Sequence, residues 1–449
     1  MSKNTTIPGP KDPFPYIGSL RKYRKGPLAF LSGLEAQYEG VVKLRFLPIH
    51  VVFVTDPALV KEVLTMSQEK LKKGIEYEEV HHVMGLGLLT SERESWMKRR
   101  RIVQPSFYKK SIQSFGEIMV KHADIAVAKL IQQPNKSVVS LADHYTSSVF
   151  AQCIFSKDLS REGLTYTSSF AFLNKWLTKR VSNVLNWPVS FPTRDNIQFR
   201  REKRELDSFI FEMISERRRN RSNHQDLLQT FVEIKDADDG TQMTDQEVRD
   251  ELVTLMIAGT ESTSVTIIWL LYLITSHPEV EEKIKEELRA VFPSGEIDST
   301  KLFTLKYCLA AIKETLRLYP PLWAFSRQAR CDLNIGPYAI KKSWEIVVSP
   351  YTNHRSEKYW EAPDQFSPER FLEPALSKIN HKYQYFPFGG GSRICVGEHF
   401  ALLEILALMA KIYRKGRVNR PQAMKLNPVP LMTLRPDKAF EIRFISDQD

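Results

Sequence analysis

Residues 388–397 read Phe-Gly-Gly-Gly-Ser-Arg-Ile-Cys-Val-Gly and place one cysteine, Cys395, just before a long apolar segment. That segment, from Glu398 to Tyr413, has no glycine or proline and is rich in Ala, Leu, Ile and Met, which predicts an amphipathic helix. The N-terminus of a helix favours a thiolate, the form of cysteine that binds metals. Upstream, the three glycines let the backbone turn tightly against a flat ligand, and Arg393 is placed to meet an anionic group on it.

The same stretch resembles the haem-binding loop of the cytochrome P450 superfamily, the haem-thiolate monooxygenases, at Phe388, Gly391, Arg393, Cys395 and Gly397. The resemblance implies that Cys395 is the proximal ligand of a haem iron and that the cofactor is haem b, iron protoporphyrin IX. A lone cysteine is more often a buried, inert side chain. Ten residues in register nevertheless favour the ligand.

The composition is that of an ordinary globular protein, with 42% hydrophobic and 26% charged residues in a chain of 449. Neither a repeat nor a Gly/Ser-rich or Pro-rich linker interrupts its interior, so we predict one domain over residues 1–449, with a proline-rich lead-in over residues 1–20. The four cysteines, at positions 153, 308, 331 and 395, lack paired spacing. This pattern argues against a disulfide framework or a zinc site and fits a reducing compartment.

The charge balance is basic, with a formal net charge of +11. Such a surplus suits nucleic acid, an acidic membrane or an acidic protein, and also an ordinary solvated surface. No nucleic-acid-binding motif accompanies the basic runs at 98–101 and 217–221, so we expect no nucleic-acid partner. The N-terminus is polar and the longest apolar run, 267–274, is far shorter than the roughly 20 residues that span a bilayer, so we expect a soluble, cytoplasmic protein without a membrane anchor.

A second motif lies in the middle of a long predicted helix. Thr244 and Glu247 form a capping box, and no proline occurs between Asp245 and Ser276, which predicts a helix of that length. At its centre, residues 258–263 read Ala-Gly-Thr-Glu-Ser-Thr. A glycine inside a helix costs about 1 kcal/mol, so we expect a compensating close approach of a flat cofactor or of O2.

This segment resembles the family's central helix, in which an acid and an alcohol lie beside the oxygen site. The resemblance implies that Glu261 and Ser262, with Thr263, are catalytic, and that Ala258 and Gly259 contact the cofactor. An acid and a hydroxyl can relay the protons that cleavage of the O–O bond requires. Serine stands where the family more often has threonine, and it lacks the methyl group that limits rotamers, so we expect looser coupling of O2 use to product. The alternative is a serine bonded to its own backbone beside a surface glutamate.

Cationic side chains elsewhere match the family's propionate ligands. Trp96 and Arg100 are four residues apart in a predicted helix, where an indole N–H and a guanidinium can bind one carboxylate. A surface cation stacked on an aromatic ring is the alternative. By resemblance, these two residues hold the haem propionates together with Arg327 and Arg393.

An ion-pair motif is expected to be structural. Glu314 and Arg317 are three residues apart on one face of a predicted helix, a spacing that alone is common and usually solvated. They resemble the family pair that a second arginine, here Arg370, locks beneath the haem.

Patterns outside these motifs predict local structure. We expect a β-hairpin over residues 41–54, a short helix from Asp56-Pro57 through Leu64, and strands over 334–340 and 345–349. The segment 85–90, Gly-Leu-Gly-Leu-Leu-Thr, is not a dinucleotide fingerprint, because a third glycine and a preceding strand are missing.

Two segments are expected to enclose the substrate. An aromatic and proline-rich break over residues 187–192 resembles the mobile lid of the family's substrate channel. A turn within residues 426–436 is expected to close the pocket from the opposite side. The predicted lining is apolar and implies an apolar substrate: Leu88, Leu322, Trp323, Phe325 and Met432.

The resemblance covers nearly the whole chain and implies the cytochrome P450 fold, mostly α with a minor β region, a triangular helical prism with a long central helix. It implies a monooxygenase that inserts one atom of O2 into a C–H or C=C bond of a hydrophobic molecule and reduces the other atom to water. A fatty acid, terpenoid, steroid or polyketide-like substrate would suit the pocket. A peroxide-driven or rearranging haem-thiolate enzyme and a non-catalytic haem sensor or carrier are the alternatives.

Electrons are expected from a separate partner, a ferredoxin or flavodoxin with its NAD(P)H reductase, because residues 396–449 are too few for a flavin domain. The basic run at 98–101 is a candidate docking site for such an acidic protein. We expect a monomer.

Overall fold

The computed structural model describes residues 6–11, 18–46, 48–133, 135–157, 164–183, 186–220, 225–379, 381–420 and 424–446. The helices are α1 (Leu20–Lys25), α2 (Pro27–Gln37), α3 (Pro57–Thr65), α4 (Glu76–Met84), α5 (Arg93–Val103), α6 (Lys109–Gln113), α7 (Gly116–Gln132), α8 (Val138–Phe155), α9 (Leu164–Ser182), α10 (Arg194–Arg219), α11 (Leu227–Glu233), α12 (Asp245–Ile274), α13 (Pro278–Val291), α14 (Lys306–Leu318), α15 (Pro350–Asn353) and α16 (Glu398–Lys415). The strands are β1 (Val41–Phe46), β2 (Ile49–Val54), β3 (Leu71–Lys73), β4 (Asn135–Ser137), β5 (Phe325–Ala329), β6 (Leu333–Ile335), β7 (Tyr338–Ile340), β8 (Glu345–Val348), β9 (Gly416–Asn419), β10 (Pro428–Pro430), β11 (Leu434–Pro436) and β12 (Glu441–Ser446). Single 3₁₀ turns lie at Gln104–Phe107, Ser299–Thr304, Pro368–Phe371, Ala375–Lys378, Lys382–Gln384 and Gly391–Arg393.

The described residues form two compact units. The first draws on Met1–Glu78, Ala310–Cys395 and Pro428–Arg435, and the second on Glu79–Leu309, Val396–Asn427 and Pro436–Asp449. The single domain over residues 1–449 stays a prediction. Of the proline-rich lead-in, Pro13 and Pro15 lie outside the described residues, whereas the Pro8 carbonyl accepts a hydrogen bond from the Lys43 N–H at 2.7 Å.

The first unit is built on a five-stranded mixed sheet in the order β1-β2-β8-β5-β3. The predicted hairpin is confirmed, with Val41 opposite Val54 and Phe46 opposite Ile49; Leu47, in its turn, lies outside the described residues. Alternate residues of a strand point to opposite faces. Val41 accordingly packs into one apolar cluster and Val42 into another, so both faces of the sheet are buried.

The helix after the hairpin begins as expected. The Asp56 carboxylate accepts hydrogen bonds from the N–H groups of Ala58 at 2.9 Å and Leu59 at 3.0 Å, and Pro57 occupies the first helical position. Helix α3 ends at Thr65, one residue later than predicted.

The strand prediction over residues 334–340 is wrong. The chain instead forms two short antiparallel strands, β6 and β7, in which Leu333 pairs with Ile340. Between them Gly336 adopts a φ of +52°, a left-handed conformation that reverses the chain and that glycine accepts without steric cost. Strand β8, predicted over residues 345–349, is confirmed and ends at Val348.

A buried ion cluster lies in the first unit, at the end of α14. The Arg317 Nε and Nη2 atoms donate to the Glu314 carboxylate at 2.7 and 2.8 Å, and the Arg370 Nε donates to the same carboxylate at 3.3 Å. Arg317 also donates to the carbonyl oxygens of His354, Pro363 and Gln365. Both Glu314 and Arg317 are fully buried and every polar atom of the guanidinium is used, an arrangement that suits a structural role. That role stays a prediction.

Helix α12 is the centre of the second unit, packing along α8, and α16 packs along α7. Its capping box is confirmed by the reciprocal bonds of Thr244 and Glu247, and it ends at Ile274, two residues before the predicted end. Among the described residues, α12 alone is long and apolar enough to cross a membrane. Because 78% of its apolar window is buried inside the structure, α12 is a core helix.

The replacement Arg317→Ala leaves the Glu314 carboxylate buried with Arg370 as its remaining cation, at 3.3 Å, and with the Ser367 N–H at 3.0 Å. We expect it to lower the free energy of unfolding by about 3–5 kcal/mol, the usual cost of breaking a buried ion pair. Urea denaturation followed by tryptophan fluorescence measures the change. The matched control is Arg289→Ala, which removes an exposed pair with Glu282 and is expected to cost less than about 1 kcal/mol. Equal losses in the two variants would contradict the structural role of the cluster.

Candidate functional site

The loop that contains Cys395 is closed on itself. The Cys395 N–H donates to the Phe388 carbonyl at 3.0 Å, so the six intervening residues form a compact turn. Gly391 has a φ of +66°, and a Cβ atom added there would lie 1.9 Å from the Leu64 carbonyl oxygen. A side chain at Gly390 would meet the ring of Tyr383 at 2.4 Å. Gly391 and Gly390 therefore let this loop pack directly against α3 and against the 3₁₀ turn that contains Tyr383. The predicted approach of the glycines to a flat ligand stays a prediction.

The Cys395 side chain is exposed, unlike two of the other cysteines. Cys153 and Cys308 are buried, and burial raises the pKa of both thiols well above the usual range, so they are protonated and inert. Cys331 is also exposed, but no helix begins near it. Cys395 alone combines exposure with a place three residues before a long helix, α16, whose N-cap is Gly397.

Two of the predicted propionate ligands converge in the first unit. Arg327 and Arg393 both act electrostatically on the buried phenol of Tyr77, where they oppose the burial and the Glu76 carboxylate that raise its pKa to about 12. The Arg393 Nη2 atom donates to the Gln68 side-chain oxygen at 2.7 Å, and the Arg327 Nη1 atom donates to the Ser326 carbonyl at 2.9 Å. Two neighbouring guanidiniums form a cationic site that suits a carboxylate.

The second predicted pair lies on α5. Trp96 is buried, Arg100 is half-buried, and the Arg100 Nε atom donates to the Gln104 side-chain oxygen at 2.8 Å. Their spacing of four residues in a helix is confirmed. Binding of a propionate by these two residues stays a prediction.

The basic run on α5 is less open than its sequence indicates. Arg99 is buried and pairs with Glu251 at 3.2 Å. Lys98 pairs with Asp239 at 3.0 Å, and Arg101 pairs with Asp236 and Asp238 at 3.2 and 3.1 Å. Much of the charge of this helix is therefore compensated within the chain, which weakens the run as a docking site.

Helix α12 has one exposed window. From Val248 to Leu271 every residue is buried except Ala258, which is exposed, and Gly259 and Ser262, which are half-buried. Residue 262 is four positions after residue 258 and three positions after residue 259. Residues at these spacings are neighbours on a helix surface, so all three lie on one side of the helix. The motif found in the sequence therefore coincides with the only accessible surface along this stretch of α12.

The acid and the alcohol of this motif have separate partners. The Ser262 hydroxyl donates to the Ala258 carbonyl at 2.6 Å, the back-bonded geometry of the alternative interpretation. Glu261 is buried rather than at the surface, and it accepts a hydrogen bond from the Asn174 amide of α9 at 2.8 Å. Asn174 could not be found from the sequence, because 87 residues separate it from its partner.

The glycine of the motif has a packing reason that the sequence did not reveal. A Cβ atom at Gly259 would lie 1.8 Å from the ring of Phe150 on α8. That ring in turn packs on Phe400 of α16, with 4.8 Å between ring centroids. Gly259 is therefore required by this aromatic contact, whereas its contact with the cofactor stays a prediction.

The sequence analysis did not identify a buried carboxyl group, that of Glu404. Glu404 lies on α16 without exposure, and burial raises its pKa well above the usual range while the Thr263 hydroxyl opposes that shift. Burial therefore favours the neutral form of this carboxyl group. The signal that could have indicated this group is an acidic residue, Glu404, within an apolar run of the predicted helix.

Of the predicted substrate contacts, several serve the core. Phe325 is buried in an apolar cluster of the first unit. Trp323 packs beside another cluster, and its indole N–H donates to the Leu431 carbonyl at 2.8 Å. That bond fixes the tip of the β10–β11 hairpin, which carries Met432 and confirms the predicted turn. Leu322 is exposed, and substrate contact by any of these residues stays a prediction.

The predicted lid is a well-bonded loop between α9 and α10. Side chains from both helices donate hydrogen bonds to carbonyl oxygens of this loop. Arg180 donates to the carbonyl of Trp187, Asn196 donates to those of Pro188 and Phe191, and Arg200 donates to that of Val189. The helical break is confirmed. The exposed rings of Trp187 and Phe191 stack at 4.9 Å.

These residues fit a haem with a thiolate ligand. Within the described residues, no three His, Cys, Asp or Glu side chains form a cluster that could hold a metal ion. The glycine loop offers bare backbone beside that sulfur, and Arg327 and Arg393 offer cations for propionates.

Comparison with known proteins identifies relatives along the whole chain. A family model described as Cytochrome P450 matches residues 8–444. Pentalenene oxygenase from Streptomyces avermitilis is 26% identical over 99% of this chain and 98% of its own length. Cyclooctat-9-en-7-ol 5-monooxygenase from Streptomyces melanosporofaciens is 27% identical over 94% and 89%, and human Cytochrome P450 4V2 is 28% identical over 91% and 83%.

A solved structure shares the fold. The crystal structure of the cytochrome P450DA heme domain superposes with a TM-score of 0.89 over 98% of this chain and 97% of that chain, at 24% identity. The expected fold class, mostly α with a minor β region, is confirmed.

Proposed function

Because the chain belongs to the cytochrome P450 family, whose members are haem monooxygenases, we propose that it inserts one atom of O2 into a C–H or C=C bond of a terpenoid. The observation that carries the proposal is the exposed Cys395 in its closed glycine loop at the start of α16. Terpenoids are favoured over fatty acids, steroids and polyketides by the bacterial relatives, pentalenene oxygenase and cyclooctat-9-en-7-ol 5-monooxygenase.

The chain's own residues bind and orient the cofactor, a haem of the b type in this proposal. Cys395 would bind the iron through Sγ, Arg327, Arg393 and Arg100 would neutralise the propionates, and the Trp96 indole N–H would donate a hydrogen bond to one of them. When bound, the haem supplies the activation of O2 with two electrons from outside the chain. Ala258 and Gly259 offer it small side chains at the window of α12.

Protons are moved by the acid and the alcohol of α12. Ser262 has one hydroxyl proton, held on the Ala258 carbonyl at 2.6 Å, and rotation about its unbranched Cβ releases that proton toward the window. Glu261 lies beside it in sequence and is anchored through Asn174, so it can resupply the proton after a change of rotamer. Thr263 faces the neutral Glu404 rather than the window.

The electron donor in this proposal is a ferredoxin or flavodoxin with its NAD(P)H reductase. An acidic protein fits the net charge of +11. Docking cannot use Arg99, which is buried and paired with Glu251, so only the outer residues of the basic run, Lys98 and Arg101, contribute from α5. We further propose a cytoplasmic monomer.

Product analysis under ¹⁸O2 tests the reaction class. With NADPH, a ferredoxin and its reductase, and a panel of neutral terpenoids that shift the ferric protein from low to high spin, we expect one ¹⁸O atom in each product, measured by mass spectrometry. A matched panel of fatty acids and steroids tests the substrate class and is expected to give weaker spectral shifts. Products formed with hydrogen peroxide but not with the reductase would contradict the proposal.

The variant Ser262→Ala tests the proton route. We expect product formed per NADPH consumed to fall by about tenfold or more, because a positioned proton donor typically contributes about a hundred- to ten-thousandfold to the rate of the step that it serves. NADPH oxidation and product are measured together. Thr260→Val is the control, since the Thr260 hydroxyl makes the same 2.6 Å bond to a carbonyl one turn earlier but is buried away from the window. Equal coupling in both variants would remove Ser262 from the route.

A further inference from the structure

Tyr77 carries a nearly buried phenol that donates no hydrogen bond within the part of the chain that the structure describes. It lies in the first turn of α4, in the first unit, and is 9% exposed. The described contact of its side chain is with a lysine ammonium group over the ring, and its hydroxyl has no acceptor among the described residues. A buried phenol usually has a partner for its O–H group. This hydroxyl is therefore a donor whose acceptor has to come from elsewhere.

The carboxylate next to this phenol is already engaged. Glu76 accepts hydrogen bonds from the Ser326 N–H at 3.2 Å and from the Ser326 hydroxyl at 2.8 Å. Gly74 permits this approach, because a Cβ atom there would lie 1.5 Å from the Ser326 hydroxyl oxygen. These contacts tie the start of α4 to β5, one residue before Arg327. Glu76 thus holds Tyr77 near Arg327 without being its hydrogen-bond partner.

Positive charge surrounds the Tyr77 ring. The Lys73 ammonium group lies over the ring, 4.4 Å from its centroid. Lys73 is the residue of β3 that stands opposite Arg327 of β5. Arg327 and Arg393 both act electrostatically on the phenol. The hydroxyl therefore lies in a cationic environment that suits an anion.

One of these cations lacks an acid of its own. Arg327 is half-buried, its guanidinium donates to the Ser326 carbonyl at 2.9 Å, and no carboxylate of the described residues pairs with it. Arg317, in the same unit, binds Glu314 at 2.7 Å. A guanidinium has five N–H donors in a fork that fits a carboxylate. The uncompensated charge of Arg327 therefore indicates a carboxylate from outside the chain.

We propose that the Tyr77 hydroxyl donates a hydrogen bond to the haem propionate that Arg327 and Arg393 neutralise. This assignment rests on the proposed function, because the propionate belongs to the haem that Cys395 would bind. The two guanidiniums supply the charge, and the phenol adds a neutral donor whose direction is fixed by a buried ring. Tyr77 is thus a cofactor-binding residue that the sequence motifs did not indicate.

The phenol keeps the proton that this role requires. Burial and the Glu76 carboxylate raise the pKa of Tyr77 to about 12, although Arg327 and Arg393 oppose the shift. A phenol with this pKa is a donor at neutral pH, whereas a phenolate would repel a propionate. A bound propionate adds negative charge and favours the protonated phenol further.

Resonance Raman spectroscopy of the ferric holoenzyme tests the hydrogen bond. It resolves the bending bands of the two propionates, and a band falls in frequency when its propionate loses a hydrogen bond. Tyr77→Phe removes the hydroxyl and keeps the ring beneath Lys73, so we expect one band to move to lower frequency. Arg327→Lys, which loses the guanidinium fork, is expected to lower the same band. The control Tyr385→Phe removes a hydroxyl that donates to the Lys313 carbonyl at 3.0 Å in the same unit, and it is expected to leave both bands in place.

Transfer of haem from the holoenzyme to excess apomyoglobin, followed by absorbance, measures how tightly the haem is held. We expect Tyr77→Phe to release haem about tenfold faster than the native protein, the factor that a hydrogen bond to a charged group typically contributes at least. Tyr385→Phe is expected to release haem at the native rate.

Unchanged propionate bands in Tyr77→Phe would overturn the proposal, even with faster release, because faster release alone would reflect looser packing. Shifts of different bands in Tyr77→Phe and Arg327→Lys, or an equal shift in Tyr385→Phe, would overturn it as well. A band shift without faster release would support the hydrogen bond and contradict its contribution to haem retention. A native protein that binds no haem would contradict the proposed function itself, whereas a native protein with haem and a silent Tyr77→Phe variant would contradict the Tyr77 assignment alone.

Discussion

The position of the Cys395 sulfur depends on the backbone hydrogen bond that closes the loop around it. The Cys395 N–H on the Phe388 carbonyl and the bare Cα of Gly391 against the Leu64 carbonyl leave the loop little freedom. The sulfur is consequently presented at the surface of the loop rather than collapsed into the core, as happens to Cys153 and Cys308. An exposed thiol just before a helix suits the metal-binding role that we propose for Cys395.

The long helix obeys an equivalent constraint in the second unit. Burial of α12 on nearly all sides gives the unit its core, and between Val248 and Leu271 it leaves accessible only the small residues Ala258, Gly259 and Ser262. Two neighbouring segments mark the limits of this accessible part of α12. Phe150 packs against the back of Gly259, and the Gly85–Thr90 loop stops one turn before the window. The reaction that we propose is therefore confined to the part of the helix that contributes least to packing.

Sequence reasoning was most successful where chemistry is local. The cap at Asp56, the capping box at Thr244 and the spacing of Glu314 and Arg317 depend on residues a few positions apart, so their geometry follows from the helix itself. Reasoning from sequence failed where distant segments meet. No local sequence pattern indicates the hydrogen bond from Asn174 to Glu261, the packing of Phe150 on Gly259, or the acids that compensate the basic run of α5. The single strand expected over residues 334–340 failed because the turn chemistry of Gly336 was overlooked.

The most direct measurement is the absorption spectrum of the reduced protein under carbon monoxide. Thiolate ligation by Cys395 predicts the far-red-shifted Soret band in the native protein, its loss in Cys395→Ser, and its retention in Cys331→Ser, which removes the other exposed cysteine. A native protein without that band, or a Cys395→Ser variant that keeps it, would contradict the central claim.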